Sequence, residues 1–329
     1  PGLGYYSGGL QKFGQRGDFI TAPEVSSLFA MCLASQLAEV LVNLRQESDQ
    51  AVCVLEFGAG SGILAADILL ELEQMDCLPE KYFILELAGE LRQRQSDTIR
   101  QKVPHLFERV QWLDSIPGET ENVVVIANEV LDAMPVECFR VAGSGSSVNV
   151  ESLVIGMQNE ELVSRYRAAD KTVTEKVTEI AQRSEVTFSE GYCSEFNPAI
   201  KGWLSALENK IRNLVILVID YGYNETEYYL PDRRNGTLMC YYRHRAHGDY
   251  LWWPGLQDIT AFVDFTDVAY SAVECGMEVS GYTTQAAFLL ANGLSERHAE
   301  LVTDDVRQQV KLSQQIKTLT LPSDCLLYT

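Results

Sequence analysis

Basic charge, histidine and paired cysteine are all scarce in this chain. Its 329 residues hold 26 Lys and Arg against 46 Asp and Glu, a net charge of −20. That balance argues against nucleic acid, which needs basic patches to displace counterions. It suits a cationic small molecule or a basic peptide. The eight cysteines (32, 53, 77, 138, 193, 240, 275 and 325) show no C-x-x-C spacing, and several stand inside apolar runs. They read as buried thiols of a reducing compartment. Of four histidines, His244 and His247 lie close together. No Cys or carboxylate cluster joins them at zinc spacing, so no metal site is expected. Hydrophobic residues make up 46% of the chain without a long uninterrupted run, as in a soluble globular protein with no membrane span. Internal repeats and low-complexity tracts are missing. The chain starts at Pro1 and stops abruptly at Leu326-Leu327-Tyr328-Thr329, as if trimmed from a longer one.

What is present starts with Cys53-Val54-Leu55-Glu56-Phe57-Gly58-Ala59-Gly60-Ser61-Gly62. An apolar strand ends near an acidic residue and runs into alternating glycines, and Ile63–Leu70 follows at helical periodicity. Strand, glycine turn and helix in that order open a doubly wound nucleotide-binding sheet. Glycines there let backbone approach a ligand closely. A pyrophosphate wants bare N–H donors and positive potential. The carboxylate of Glu56 suits an ammonium group better, which points to S-adenosylmethionine, cationic at its amino-acid end and at its sulfonium. A dinucleotide is the rival, because Gly60-x-Gly62-x-x-Ala65 satisfies the loosened G-x-G-x-x-G/A pattern. A turn that only joins strand to helix is the third reading.

Strand and helix patterns alternate through the first part of the chain. A helix is expected over Phe29–Leu44, strands over Ala51–Phe57 and Tyr82–Leu87, and a helix over Arg92–Gln101. Further strands are expected at Val110–Leu113 and Asn122–Ala127. Such alternation makes a parallel sheet with right-handed crossovers. The pattern breaks over 139–196, with a Gly143–Ser147 turn, two strand-like runs and a charged helix at Lys171–Arg183. It resumes at the apolar strand Leu214–Asp220. A helix at Thr266–Cys275, a strand at Met277–Thr283 and a helix from about Thr284 close the chain. The expected class is α/β, with an α+β subdomain (139–196) inserted between two halves (1–138 and 197–329) of one mostly parallel, Rossmann-like sheet.

Glu86, 24 residues beyond Gly62 at the end of the second strand, stands where an acidic residue faces ribose hydroxyls in open α/β sheets. Asp114, after the third strand, is a candidate for the adenine edge. Asn128, Glu129 and Asp132 follow the fourth strand and emerge at the sheet's ligand-binding edge. Methyl transfer from a sulfonium depends mainly on positioning. These carboxylates could orient a guanidinium and receive its proton, although Asp132 could equally cap a short helix.

Together these motifs resemble the MidA family of class I methyltransferases. The resemblance rests on Pro1-Gly2-Leu3-Gly4-Tyr5-Tyr6-Ser7, Gly17-Asp18-Phe19-Ile20-Thr21-Ala22-Pro23-Glu24, Glu56–Gly62 and Asn128–Ala133. Asp220-Tyr221-Gly222-Tyr223 and the stretch from Gly236-Thr237-Leu238 to Asp264-Phe265 complete it. The chain departs from the family at Leu87-Ala88-Gly89, where a serine-containing turn is usual, and at Cys325-Leu326-Leu327, where a glycine-containing strand closes the sheet.

The resemblance implies a class I methyltransferase fold and S-adenosylmethionine held by Glu56, Gly58, Gly60, Gly62, Glu86, Asp114 and Asn128. It implies catalysis by Asn128, Glu129 and Asp132, and an arginine-bearing protein, such as a respiratory complex I subunit, as acceptor. Asp220, Tyr221, Tyr241, Tyr242 and Asp258 are the candidate substrate contacts. The aromatic and basic run from Tyr241 to Asp249, with Trp252 and Trp253 after it, reads as a loop that either binds cations on its ring faces or packs them on the sheet.

Overall fold

The computed structural model describes residues 5, 22–48, 50–118, 122–143, 149–243, 245–302, 304–321 and 327–328. Most of the first motif, residues 17–21 of the second, the 144–147 part of the expected turn, His244 and Cys325 lie outside the described residues. In chain order the strands are β1 (Cys53–Phe57), β2 (Tyr82–Leu85), β3 (Val110–Leu113), β4 (Val123–Asn128) and β5 (Glu137–Val141). Then come β6 (Val150–Gln158), β7 (Glu161–Ala168), β8 (Cys193–Phe196), β9 (Leu214–Tyr223) and β10 (Met239–Tyr242). The last are β11 (Arg245–His247), β12 (Asp258–Thr260), β13 (Val263–Asp264) and β14 (Leu327–Tyr328).

Two compact units divide the chain. The first comprises Pro1–Val130, Ser205–Tyr221 and Ser280–Thr329. Its strands run in the order β9-β4-β1-β2-β3, all parallel, and β14 adds antiparallel to β9. β1 is buried at every position and β4 at all but its last, as a sheet covered on both faces requires. From β1 the chain builds outward through β2 and β3, then returns to β4 on the other side. That reversal opens a crevice beyond the C-terminal ends of β1 and β4, where ligands bind in open α/β sheets.

A helix at Ser27–Glu47 begins where the Ser26 hydroxyl accepts the Leu28 N–H at 3.3 Å. The sequence reading foresaw no membrane-spanning run, yet this helix is long and apolar enough to cross a bilayer by length and composition. Its apolar side is spent on the core. Leu28, Leu33, Leu37 and Leu41 are fully buried in one cluster with Val54, Val124 and Ile126 of the sheet. Each such leucine contributes about 1.5–3 kcal/mol of burial.

The second unit comprises Leu131–Leu204 and Gly222–Val279, so it holds the 139–196 segment together with later chain. A four-stranded antiparallel sheet, β7-β6-β5-β8, carries the helix Lys171–Arg183. Val177 and Ile180 of that helix share a core with Phe139, Val141, Tyr192 and Tyr229. A second antiparallel sheet, β11-β10-β12, is built from the aromatic and basic run that reads as a loop in the sequence. The strand expected over Met277–Thr283 does not form. Gly276 (φ 85°) ends the preceding helix, and the residues after it stay largely exposed outside every sheet.

β9 continues into this unit, where Gly222 and Tyr223 pair in parallel with Val263 and Asp264. A Cβ on Gly222 would stand 2.1 Å from the Val263 carbonyl oxygen. Because that neighbour is backbone, Gly222→Ala must push β13 away, at a cost of about 1–3 kcal/mol. Urea denaturation should show the loss, and an unchanged midpoint would mean that β13 is free to shift.

Candidate functional site

The glycine turn is left-handed at three positions: Gly58 (φ 61°), Gly60 (φ 51°) and Gly62 (φ 82°). Gly62 answers a second demand. A Cβ there would lie 2.9 Å from the Cα of Gln95, because the helix Gly89–Lys102 runs directly against the turn. Gln95 is fully buried and ties three elements together. Its amide nitrogen donates to the Gly60 carbonyl and to Glu86 Oε2, each at 3.2 Å, and its Oε1 accepts the Trp112 indole N–H at 2.9 Å. The other oxygen of Glu86 accepts the Ala88 N–H at 2.9 Å.

Glu56 is 2% exposed on β1 and accepts a 2.8 Å hydrogen bond from the Tyr82 hydroxyl. Burial pushes its carboxyl up to about 7, against the lowering effect of that bond. Ser61 donates to the carboxylate of Glu24, which ties the described end of the Ala22-Pro23-Glu24 motif to the glycine turn. Asp114 is 88% exposed and ion-paired at 2.6 Å with Arg92. Arg92 also donates to the carbonyls of Glu86 (2.5 Å) and Leu113 (2.7 Å), clamping the ends of β2 and β3 together.

At the end of β4, Asn128 presents a buried Oδ1 with no hydrogen-bond partner. Buried acceptors are nearly always paired, so this atom wants a donor. Glu129 follows with φ 52°, rare for a side chain with a Cβ, while its N–H stays on the ladder to the Ile219 carbonyl at 2.8 Å. Asp220, fully buried within β9, supports this turn. Its Oδ2 accepts the Val130 N–H at 3.1 Å, and its Oδ1 accepts the N–H of its neighbour Tyr221 at 2.8 Å. Glu56, the three glycines, Glu86, Asn128, Glu129, Asp220 and Tyr221 all belong to the first unit.

Asp132, Tyr241, Tyr242 and Asp258 belong to the second. Tyr241 stands opposite Asp258 on β12, and its phenol is raised by burial and by the charges of Asp132 and Asp258. The Asp132 carbonyl accepts the Ala261 N–H at 3.0 Å. Tyr242 packs on Trp253 with ring centroids 4.5 Å apart, and the Arg243 guanidinium lies 5.2 Å from the Tyr242 ring.

Sequence reasoning missed Gln95 and the link from Ser61 to Glu24. A glutamine on a polar helix carries no spacing signal. Its helix position facing the glycine turn would have been the only cue.

The polar edge fits a cationic nucleoside. The turn is free of side chains at Gly58, Gly60 and Gly62, and Asn128 offers an unpaired acceptor. The family model described as "Putative S-adenosyl-L-methionine-dependent methyltransferase" matches residues 32–283. The chain belongs to the MidA family. Among solved structures, this MidA chain is similar to a Burkholderia thailandensis protein bound to S-adenosyl-homocysteine. The two are 37% identical with a TM-score of 0.90, over 100% of this chain and 83% of that one. It is 26% identical to the Caenorhabditis elegans protein arginine methyltransferase NDUFAF7 homolog, over 97% of this chain and 76% of the relative. The Danio rerio protein arginine methyltransferase NDUFAF7 is 27% identical, over 93% and 73%.

The cofactor of this MidA methyltransferase is S-adenosyl-L-methionine, which supplies an electrophilic methyl group on a sulfonium. Gly58–Gly62 and Asn128 would hold its amino-acid end, and Glu86 its ribose. Gln95 fixes both the turn and Glu86. Gln95→Leu leaves three polar groups without their partner and should weaken cofactor binding by about 1–3 kcal/mol. Calorimetry with S-adenosylmethionine checks this, and wild-type affinity in a folded variant would remove Gln95 from the site.

The raised carboxyl of Glu56 has a sign that can be tested. Below its ordinary value of 4.5 both folded and unfolded chains hold the proton, and its favourable contribution is complete. Above 4.5 the unfolded chain ionises while the folded chain keeps its proton, and the contribution is lost as pH rises through about 7. The stability of wild type relative to Glu56→Gln should therefore fall as pH rises from about 4.5 to about 7 and level off above that. Urea titrations of both proteins across that range measure the difference, and a pH-independent gap would contradict the assignment.

Proposed function

We propose that the chain is a protein arginine N-methyltransferase acting on an arginine of a respiratory complex I subunit or a similar protein. The observation that carries this reading is Glu129, held in the left-handed region at the sheet edge by the buried Asp220 clamp. Such strain costs on the order of 1–3 kcal/mol and persists only where its surroundings over-determine it. It fixes a carboxylate beside the orphaned acceptor of Asn128. A planar guanidinium is well matched by a carboxylate. The names of the Caenorhabditis elegans and Danio rerio relatives, both protein arginine methyltransferases, support the same substrate class. The net charge of −20 favours a basic partner. We place the reaction in a reducing compartment, the bacterial cytoplasm or the mitochondrial matrix, because every described cysteine is a free thiol.

In this reading the guanidinium nitrogen forms a bond to the methyl carbon as the carbon–sulfur bond breaks, and the nitrogen gives up a proton. Glu129 orients the guanidinium and receives that proton. Asn128 holds the amino-acid end of the cofactor, and Asp220 sets the angle of the turn. Asp132 is the structural member of the acidic pair, its backbone carbonyl anchored by Ala261.

Glu129→Gln should lower single-turnover methyl transfer to an arginine peptide by about 10²–10⁴-fold while S-adenosylmethionine affinity stays near wild type. Wild-type transfer by that variant would take Glu129 out of the mechanism. Mass spectrometry of respiratory subunits from cells with and without the protein tests the acceptor. Transfer to a metabolite and to no arginine would replace this reading with a small-molecule methyltransferase. Intact complex assembly in a variant that cannot bind cofactor would replace it with a chaperone.

A further inference from the structure

In the second unit, β6 and β7 form a long hairpin, and β7 is the last strand of its sheet. Asn159 (φ 51°) and Glu160 (φ 67°) make the two-residue turn, both left-handed, as a type I′ turn requires. The residues flanking such a turn, Gln158 and Glu161, are a hydrogen-bonded pair, and pairs alternate from there. At the far end the Ala169 N–H donates to the Val150 carbonyl at 3.0 Å, in the same phase and with no bulge between. Leu162, Ser164, Tyr166 and Ala168 must then turn their N–H and C=O groups away from β6, toward the open edge.

An edge of eight residues is a template for a further strand, and proteins usually blunt it with proline, a bulge or brevity. β7 has none of these, and its charged residues, Glu161, Arg165 and Arg167, alternate with Leu162, Ser164 and Tyr166 and so belong to the opposite face. The hairpin face beside the edge is also apolar and uncovered. Ile155 is 49% exposed, Met157 66% and Leu162 38%, with Ile155 opposite Ser164 and Met157 opposite Leu162. A cavity of about 680 Å³ lies against the outward-facing Leu162 and Ser164. Glu161, Asp249, Tyr250 and Trp252 are also among its lining residues.

We propose that the edge of β7 docks an extended segment of a basic protein substrate by strand addition. Main-chain hydrogen bonds form to Leu162 and Ser164, apolar side chains rest on Met157 and Leu162, and a lysine or arginine enters the cavity. Backbone pairing supplies affinity without regard to sequence, and the alternating side chains supply selectivity. Trp252 attracts a cation through its ring face, and Glu161 and Asp249 attract it by charge. The proposal rests on the reading that the methyl acceptor is a protein, and it concerns recognition of a segment rather than the methyl-transfer step.

The probe is a fluorescein-labelled nonapeptide of alternating valine and arginine, followed by polarisation with the full chain. Ser164→Pro removes one outward N–H and leaves the ladder to β6 intact. The double variant Glu161→Arg with Asp249→Arg reverses the cavity charge. Each should weaken peptide binding at least tenfold, with S-adenosylmethionine affinity and thermal midpoint unchanged, and a valine–glutamate peptide should not bind. Equal binding by wild type and both variants, or equal binding of the acidic peptide, would overturn the proposal. So would an oligomer that Ser164→Pro dissociates, since the edge would then serve a second copy of this chain. If the docking results hold but no arginine is ever methylated, the catalytic reading fails and the docking surface stands.

Discussion

The approach of the Gly89–Lys102 helix to the glycine turn is the constraint on which the cofactor edge depends. At Gly62 the turn meets backbone, with only 2.9 Å between a hypothetical Cβ and the Cα of Gln95. That closeness lets the Gln95 side chain reach Gly60, Glu86 and Trp112 at once. The ends of β1, β2 and β3 are thereby referred to one buried amide. A fully satisfied buried network rigidifies its surroundings, whereas a partly satisfied one is costly. Arg92 repeats the arrangement at the surface, joining Glu86, just past β2, to Leu113, the last residue of β3. The geometry of this edge is thus set by contacts between strand ends and one helix, and Gly62 is the condition that permits their close approach.

On the other side of β1 a different carboxylate does the same work. One oxygen of Asp220 accepts the Val130 N–H in the turn after β4 and the other the N–H of its own neighbour Tyr221, so β9 supports the turn in which Glu129 is left-handed. Asp220 reads as a candidate substrate contact in the sequence, and in the structure it is fully buried with backbone donors at Val130 and Tyr221. A strand-end carboxylate looks the same in sequence whether it faces a ligand or the next loop.

Legibility followed this distinction between pattern and partner. Val110–Leu113 and Lys171–Arg183 form over the residues their periodicity indicates, and the parallel sheet follows from the alternation of strands and helices. The three-stranded β11-β10-β12 sheet was hidden because its strands are short, aromatic and interrupted by left-handed Arg243 and Trp253. Met277–Thr283 has strand-like composition, but a strand needs a neighbour, and composition does not say whether an edge is available. The glycine turn and Glu86 were visible as motif. Gln95 was not, because its role arises from a helix packing at close range on a turn remote in sequence.

Charge completes the account of the ligand edge. Without a cation, burial leaves the Glu56 carboxyl near neutrality, with a value of about 7, and Tyr82 as its hydrogen-bond donor. A positive ligand in that neighbourhood favours the ionised form, so part of its binding energy goes into drawing the proton off Glu56. The sulfonium and the ammonium of S-adenosylmethionine are charges of that sign. A cation at this edge would thus be answered at two levels, by the net charge of −20 of the whole chain and by the one buried carboxyl whose proton it would displace.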